Sequence, residues 1–172
     1  MRPNEPQLQL SPIHQISEIK SYLFLSGIAV IGQDSITNLN ISTIINVTTE
    51  RKTPYDDVKG VEVVRVRVED QCTENIGWHF HAIADKIKSV QENGGKVLVH
   101  CMAGASRQAY FHVKAIRATI NPNVGFWKQL VDFERKLRGQ PSVLLVQTRR
   151  IYLPLPDVYE EQLREEKERQ ER

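Results

Sequence analysis

The fold of this chain is decided by the stretch KVLVHCMAGASR, residues 96–107. Its first part is a short apolar run that follows two glycines, a pattern that predicts a buried β-strand. The strand ends at His100 and Cys101, and Arg107 comes six positions after the cysteine. A strand that leads through a tight loop into a helix is a common layout for anion binding. We therefore expect a phosphate-binding loop with a cysteine at its centre.

The residues of this loop suit a phosphate and a reactive thiol. Backbone N–H groups converge on an anion there, and the dipole of the next helix adds to their field. The same field lowers the pKa of a cysteine, so Cys101 is expected to be a thiolate at neutral pH. Arg107 offers a planar fork for two phosphoryl oxygens, and the small residues around Gly104 let the loop close. The alternative is a structural buried cysteine beside a chance arginine.

The pattern His100-Cys-x5-Arg107, with Ala103-Gly104 inside it, resembles the signature of cysteine-dependent protein phosphatases. The segments GFWKQL (125–130) and PDVYE (156–160) are similar to later landmarks of the small atypical dual-specificity phosphatases. The resemblance runs from about residue 16 to residue 159. It implies an α/β fold with a central mixed, mostly parallel sheet flanked by helices, and a dual-specificity protein phosphatase activity.

The resemblance also implies a role for each residue of the loop. Cys101 is the nucleophile that takes the phosphoryl group as a phosphocysteine. Arg107 binds the phosphate together with the backbone amides of the loop, which are those of Met102, Ala103, Gly104, Ala105, Ser106 and Arg107. His100 matches a histidine that hydrogen-bonds the loop and supports the thiolate; a satisfied core histidine is the alternative. No metal or cofactor is expected, because Arg107 and the amides neutralise the phosphoryl charge.

Asp70 is the second candidate catalytic residue. It follows the alternating run VEVVRVRV (61–68), which predicts a strand with one solvated face. In the family an aspartate at this place protonates the leaving oxygen, a step that an alkoxide of serine or threonine requires. The alternative is that Asp70 only caps a turn. Cys72, two positions later, is expected to be an ordinary surface or half-buried cysteine; the alternative is that it forms a disulfide with an oxidised Cys101.

The implied substrates are phosphorylated proteins that carry phosphotyrosine together with phosphoserine or phosphothreonine, signalling kinases among them. Relatives that act on phosphoinositides or RNA 5′ ends tend to carry Lys, His or Arg inside the loop. This chain has Met102, Ala103 and Ala105 at those places. The neutral loop disfavours such polyanionic substrates.

Composition sets the broad class of protein. A chain of 172 residues fits one domain with tails: a disordered lead-in over 1–15, the phosphatase domain over 16–156, and a charged helix or tail over 157–172. Two cysteines form no disulfide framework, and no apolar run is long enough to span a membrane, so a cytoplasmic or nuclear setting is expected. No signal peptide is expected at the start. A net charge of +2 is far short of a nucleic-acid-binding footprint.

Hydrophobic patterning predicts the remaining elements. Strands are expected at 22–27, 42–47, 61–68 and 96–100, and helical segments at 31–39, 76–91, 107–119 and 125–137. The segment between the second and third of these strands, with Pro54, is expected to be a charged loop. The apolar run at 141–146 is expected to pack on the domain, and 160–172 to form a solvated helix.

The chain departs from the family directly after Arg107. By comparison about 18 residues, about five helical turns, are absent there, so the helical half is truncated. We expect Asn121-Pro122 to lie at the wrong end of the sheet, and the closing helix at 125–137 to relocate or reverse. Gln108 stands where the family has Ser or Thr, a hydroxyl that assists the thiolate when water hydrolyses the phosphocysteine. A burst followed by slow turnover is therefore expected. The alternative function is a phosphoprotein binder that holds phosphorylated partners without turning them over.

Overall fold

The computed structural model of the chain describes residues 15–100, 107–116, 120–147, 154–159 and 164. Almost all of the predicted lead-in and of the predicted C-terminal helix lies outside these residues. The strands are β1 Ser17–Lys20, β2 Leu23–Ser26, β3 Thr43–Asn46, β4 Glu62–Arg65, β5 Val97–His100, β6 Leu145–Val146 and β7 Leu155–Pro156. The α-helices are α1 Gln33–Asn38, α2 Phe80–Glu92, α3 Arg107–Ile116 and α4 Val124–Arg138, and 3-10 turns form at Ile28–Val30 and Ile76–His79.

Five strands form one mixed sheet in the order β1-β2-β5-β3-β4. β1 is antiparallel to β2, and the other neighbouring pairs are parallel. β5 lies in the middle, and its Val97 and Leu98 are fully buried, as a strand covered on both faces requires. The predicted fold class, a mostly parallel sheet flanked by helices, is confirmed.

The strands predicted from apolar runs are all present, whereas β1 and the short strands β6 and β7 were not predicted. β1 contains two charged residues in four, and it lies at the edge of the sheet, where hydrogen bonding to β2 rather than apolar patterning makes it a strand. β4 is shorter than predicted. Val66 and Val68 lie beyond its end, but they are still buried in the core.

α4 has a well-defined start and end. Asn123 accepts a hydrogen bond from the backbone N–H of Phe126 at 3.0 Å, which satisfies a donor in the first turn. Gly139 ends the helix with φ of 80°, the left-handed conformation that glycine adopts at least cost. Between these caps, Trp127 and Val131 face the core.

The expectation that Asn121-Pro122 lies at the far end of the sheet is wrong. The Asn123 side chain donates to the Asp70 carboxylate at 2.8 Å, so α4 begins beside the loop that follows β4. The reason is the length of the connection. α3 has ten residues and rises about 15 Å. The residues 117–123 can span up to about 23 Å when extended, which is enough to return along the helix.

A third part of the core forms between α3, α4 and the C-terminal segment. Trp127 lies against Tyr110 and Tyr159, with ring centroids 5.3 and 5.8 Å apart in edge-to-face geometry. Val143 and Val158 are buried in the same cluster. The predicted packing of the apolar run at 141–146 is therefore confirmed, and this segment helps to cover the face of α4.

Trp127 should be the strongest single anchor of this cluster, because its side chain is 0% exposed. Replacing it with alanine should lower the free energy of unfolding by about 3–5 kcal/mol. Trp78, which is 82% exposed, is the matched control, and Trp78→Ala should change it by no more than about 0.5 kcal/mol. Urea unfolding of both variants measures the difference. Equal losses would contradict the packing described here.

Candidate active site

The candidate site lies at the edge of the sheet where β2, β3 and β5 end together. His100, the last residue of β5, is in register with Ser26 of β2 and Asn46 of β3. α3 begins seven residues later, at Arg107, so the predicted order of strand, loop and helix is present. The loop itself lies outside the described residues, and the structure therefore does not place Cys101, Met102, Ala103, Gly104, Ala105 or Ser106. Arg107 is placed by its backbone as the first residue of α3.

His100 is completely buried at the base of this loop. Its Nε2 is hydrogen-bonded to the Tyr55 hydroxyl at 2.5 Å, and the two rings meet edge to face. Burial, together with the positive charge of Arg65, lowers the pKa of His100 from 6.5 to about 4, and burial is the larger cause. His100 is therefore a neutral imidazole at physiological pH.

Neutral imidazole has one donor nitrogen and one acceptor nitrogen. When the Tyr55 hydroxyl donates to Nε2, the ring proton sits on Nδ1. Within the described part of the chain, Nδ1 of His100 has no hydrogen-bond partner, and the same holds for Ser26 Oγ and Asn46 Nδ2. Three buried polar atoms in one register row thus lie where the loop leaves β5.

The segment after β3 holds Tyr55 in place. Asn46 Oδ1 accepts hydrogen bonds from the backbone N–H and the hydroxyl of Thr48. Further along, Asp56 binds Arg65 at 2.7 Å, and hydrogen bonds from Thr53 lower the pKa of the Asp56 carboxyl. Tyr55 itself is buried, which raises the pKa of its hydroxyl. The segment is a loop of mostly exposed residues, as predicted, but the buried side chain of Tyr55 was not predicted.

Asp70 is exposed and lies in the turn that follows β4. Its Oδ1 accepts a hydrogen bond from Asn123 Nδ2, a residue 53 positions later in the chain. Among the described residues, no backbone N–H of its own turn donates to this carboxylate, so the capping alternative finds no support. Cys72, two residues on, is exposed as expected.

The loop that carries Asp70 is docked on the start of α4. A Cβ added to Gly125 would lie 2.1 Å from the carbonyl oxygen of Cys72, so only glycine fits at this contact. One turn further along α4, the Gln129 side chain donates to the Glu74 carbonyl and accepts from the Gly77 N–H, both at 2.7 Å. These contacts hold the part of the loop that follows Asp70.

Tyr55 and Asn123 are the site residues that sequence reasoning missed. Tyr55 stands in a polar segment with no apolar periodicity, and no local signal marks it as buried. Asn123 has a visible signal as the N-cap of α4, but that role does not indicate its second contact, with Asp70.

Two further searches concern only the residues that the structure describes. No group of three or more His, Cys, Asp and Glu side chains is arranged to hold a metal ion. None of the described helices combines the length and the apolar character needed to cross a bilayer.

Comparison with known proteins identifies the family. Residues 23–136 match the family model described as "Dual specificity phosphatase, catalytic domain". The chain belongs to the dual specificity phosphatase family. It is a small atypical member of this family and a protein phosphatase, as the sequence motif predicted.

Individual relatives agree with this assignment. The chain is 39% identical to human "Dual specificity protein phosphatase 14" over 168 residues, which covers 87% of this chain and 83% of the relative. It is 33% identical to "Dual specificity protein phosphatase 18" of Bos taurus, covering 92% and 93%.

Solved structures share the fold. Human DUSP28 superposes with a TM-score of 0.64 at 24% identity, over 73% of this chain and 99% of that one. A human tyrosine phosphatase-like serine/threonine/tyrosine-interacting protein superposes with a TM-score of 0.63 at 26% identity, over 72% and 98%.

The neutral state of His100 should make stability depend on pH. The folded chain binds this proton less readily than the unfolded chain, so stability falls as the pH drops from about 6.5 towards 4. Between pH 7 and pH 5 the imidazole should account for about 2 kcal/mol of the loss. His100→Gln should remove this part, as measured by urea unfolding at both pH values. The same pH dependence in the variant would show that His100 does not titrate this way.

Proposed function

We propose that this phosphatase hydrolyses phosphotyrosine and phosphoserine or phosphothreonine on proteins through a phosphocysteine intermediate on Cys101. The single observation that carries the proposal is the buried, neutral His100 at the end of β5, immediately before the cysteine of the His-Cys-x5-Arg motif. Family membership and the helix that starts at Arg107 support it. Asp70, exposed at the same edge of the sheet, supplies the acid.

In the first step the Cys101 thiolate attacks phosphorus. The S–P bond forms while the bond from phosphorus to the substrate oxygen breaks. The protonated Asp70 gives its proton to that departing oxygen, which leaves as a neutral hydroxyl group. The Arg107 guanidinium and the amides of residues 102–107 bind the equatorial oxygens, whose charge grows in the transition state.

In the second step water attacks the phosphocysteine. Asp70, now a carboxylate, takes a proton from the water, the new O–P bond forms, and the S–P bond breaks to release phosphate and the thiolate. The thiolate is the leaving group here, and a nearby hydroxyl assists it in the family. Gln108 has no hydroxyl, so this step is the slower one in the proposal.

The substrate proposal follows from the loop residues. Met102, Ala103 and Ala105 carry no charge, so the loop offers one arginine to one phosphate, as a phosphorylated side chain of a protein requires. Phosphorylated proteins, signalling kinases among them, are therefore the proposed partners, and the cytoplasm or nucleus is the proposed compartment.

A second function is favoured by one specific observation, the glutamine at position 108. If the phosphocysteine cannot be hydrolysed, the loop still binds phosphate through Arg107 and the amides. The chain would then hold phosphorylated partners without turning them over.

Kinetics of three variants separate the two functions. Cys101→Ser should abolish turnover of an aryl phosphate, because the hydroxyl of serine is a far weaker nucleophile than a thiolate. Asp70→Asn should lower kcat/KM about 100-fold or more for a substrate with a poor leaving group. Cys72→Ser is the matched control, since Cys72 is the other cysteine of the chain. It should keep full activity, because the Cys72 side chain is exposed.

Two results would contradict the proposed phosphatase reaction. If the Cys101→Ser variant still turns over substrate, the reaction does not pass through a phosphocysteine intermediate. No turnover by the folded wild-type chain, together with binding of a phosphotyrosine peptide that phosphate competes away, would favour the binder instead.

A further inference from the structure

Asn123 links two parts of the site that are distant in sequence. Its Oδ1 accepts from the Phe126 N–H at 3.0 Å, and its Nδ2 donates to Asp70 Oδ1 at 2.8 Å. An amide side chain has its acceptor and its donor on opposite corners of one plane. The capping bond therefore turns the NH2 group towards Asp70, and the two hydrogen bonds fix each other.

We propose that Asn123 is a positioning residue for Asp70 in the phosphatase reaction. This rests on the proposed function, in which Asp70 is the general acid. The Asn123 amide donates a hydrogen bond to Asp70 Oδ1. The proton of the acid form of Asp70 therefore resides on Oδ2. Oδ2 is then the oxygen that faces the substrate.

The geometry serves both halves of the reaction. In the first step Oδ2–H gives its proton to the leaving oxygen, and Oδ1 keeps its bond to Asn123. In the second step Oδ2 is a free acceptor and takes a proton from the attacking water. Without the amide, an exposed aspartate turns about two side-chain bonds and presents either oxygen, which lowers the fraction of productive encounters.

The backbone around Asn123 is held from two sides. Tyr159 donates its hydroxyl proton to the Pro122 carbonyl at 3.1 Å and accepts from Trp127 Nε1 at 2.9 Å. On the other side Gly125 lies against the backbone of Cys72, without room for a side chain. Asn123 thus sits on a packed platform, and a small error in its placement would be transmitted to Asp70.

A purely structural role for Asn123 is the competing explanation, because an N-cap alone stabilises α4. Serine separates the two roles. It is about as good an N-cap as asparagine, but it is too short to reach Asp70 while it caps. Asn123→Ser should therefore keep the helix and lose the contact with the acid. Asn121→Ser, the same change at an exposed position two residues earlier, is the matched control.

The experiment compares kcat/KM for a series of aryl phosphates whose leaving phenols differ in acidity. A general acid matters most when the leaving group is poor. Asn123→Ser should lose about tenfold on phenyl phosphate and about twofold or less on 2,4-dinitrophenyl phosphate. In an Asp70→Asn background the same change should have no further effect, since the two residues act as one unit. Asn121→Ser should follow wild type throughout.

The outcomes separate this inference from the proposed function. If Asp70→Asn shows a loss that depends on the leaving group and Asn123→Ser does not, the positioning role is overturned and the general acid stands. An equal loss on every substrate for Asn123→Ser would also overturn it, as structural damage. If Asp70→Asn shows no such dependence, the acid assignment fails and this inference with it.

Hydrogen exchange provides a readout that needs no turnover. In Asn123→Ser the amides of residues 70–74 should exchange faster than in wild type, while those of Val124–Arg138 stay protected. Unchanged exchange at 70–74 would overturn the positioning role even in an inactive chain.

Discussion

The whole site depends on a buried, uncharged imidazole at the end of the central strand. His100 carries no charge because it lies under three strand ends with no access to water, and Arg65 adds to the cost of a proton on the ring. Tyr55 forms a hydrogen bond with Nε2, and Nδ1 has no partner among the described residues. A parallel sheet makes this arrangement possible, because its strands end together at one edge and bring polar residues into one row.

The second half of the site is built from the other end of the chain. α4 holds the turn that carries Asp70 through an amide, a glycine and a glutamine, while the C-terminal segment packs on α4 through Trp127. This packing also answers the structural concern raised by the expected shortening of the helical half. The connection after α3 is long enough to return, so α4 reaches the same edge of the sheet at which the loop begins. In the proposed mechanism, the nucleophile therefore follows β5 and the acid follows β4, two parallel strands of the same sheet.

The sequence predicted those features that depend on local patterns. The apolar runs of β3 and β5 and the helical spacing of α2 and α4 were sufficient to indicate the sheet and its helices, and the motif around Cys101 indicated the family. What could not be predicted depends on contacts between distant residues. Tyr55 is buried only because its loop folds over His100, 45 residues away. β1 is a strand only because β2 lies beside it, and the contact between Asn123 and Asp70 joins positions 53 apart.

The central proposal is that a neutral imidazole and a ring of amides hold the Cys101 sulfur as a thiolate that attacks the phosphorus of a phosphorylated substrate. The most direct measurement is the rate of alkylation of Cys101 by iodoacetate as a function of pH. It is made in the Cys72→Ser variant, in which Cys101 is the one remaining thiol. The account predicts half-maximal labelling below pH 7 and clear protection by orthophosphate. Labelling that rises only above about pH 8, with no protection, would contradict it.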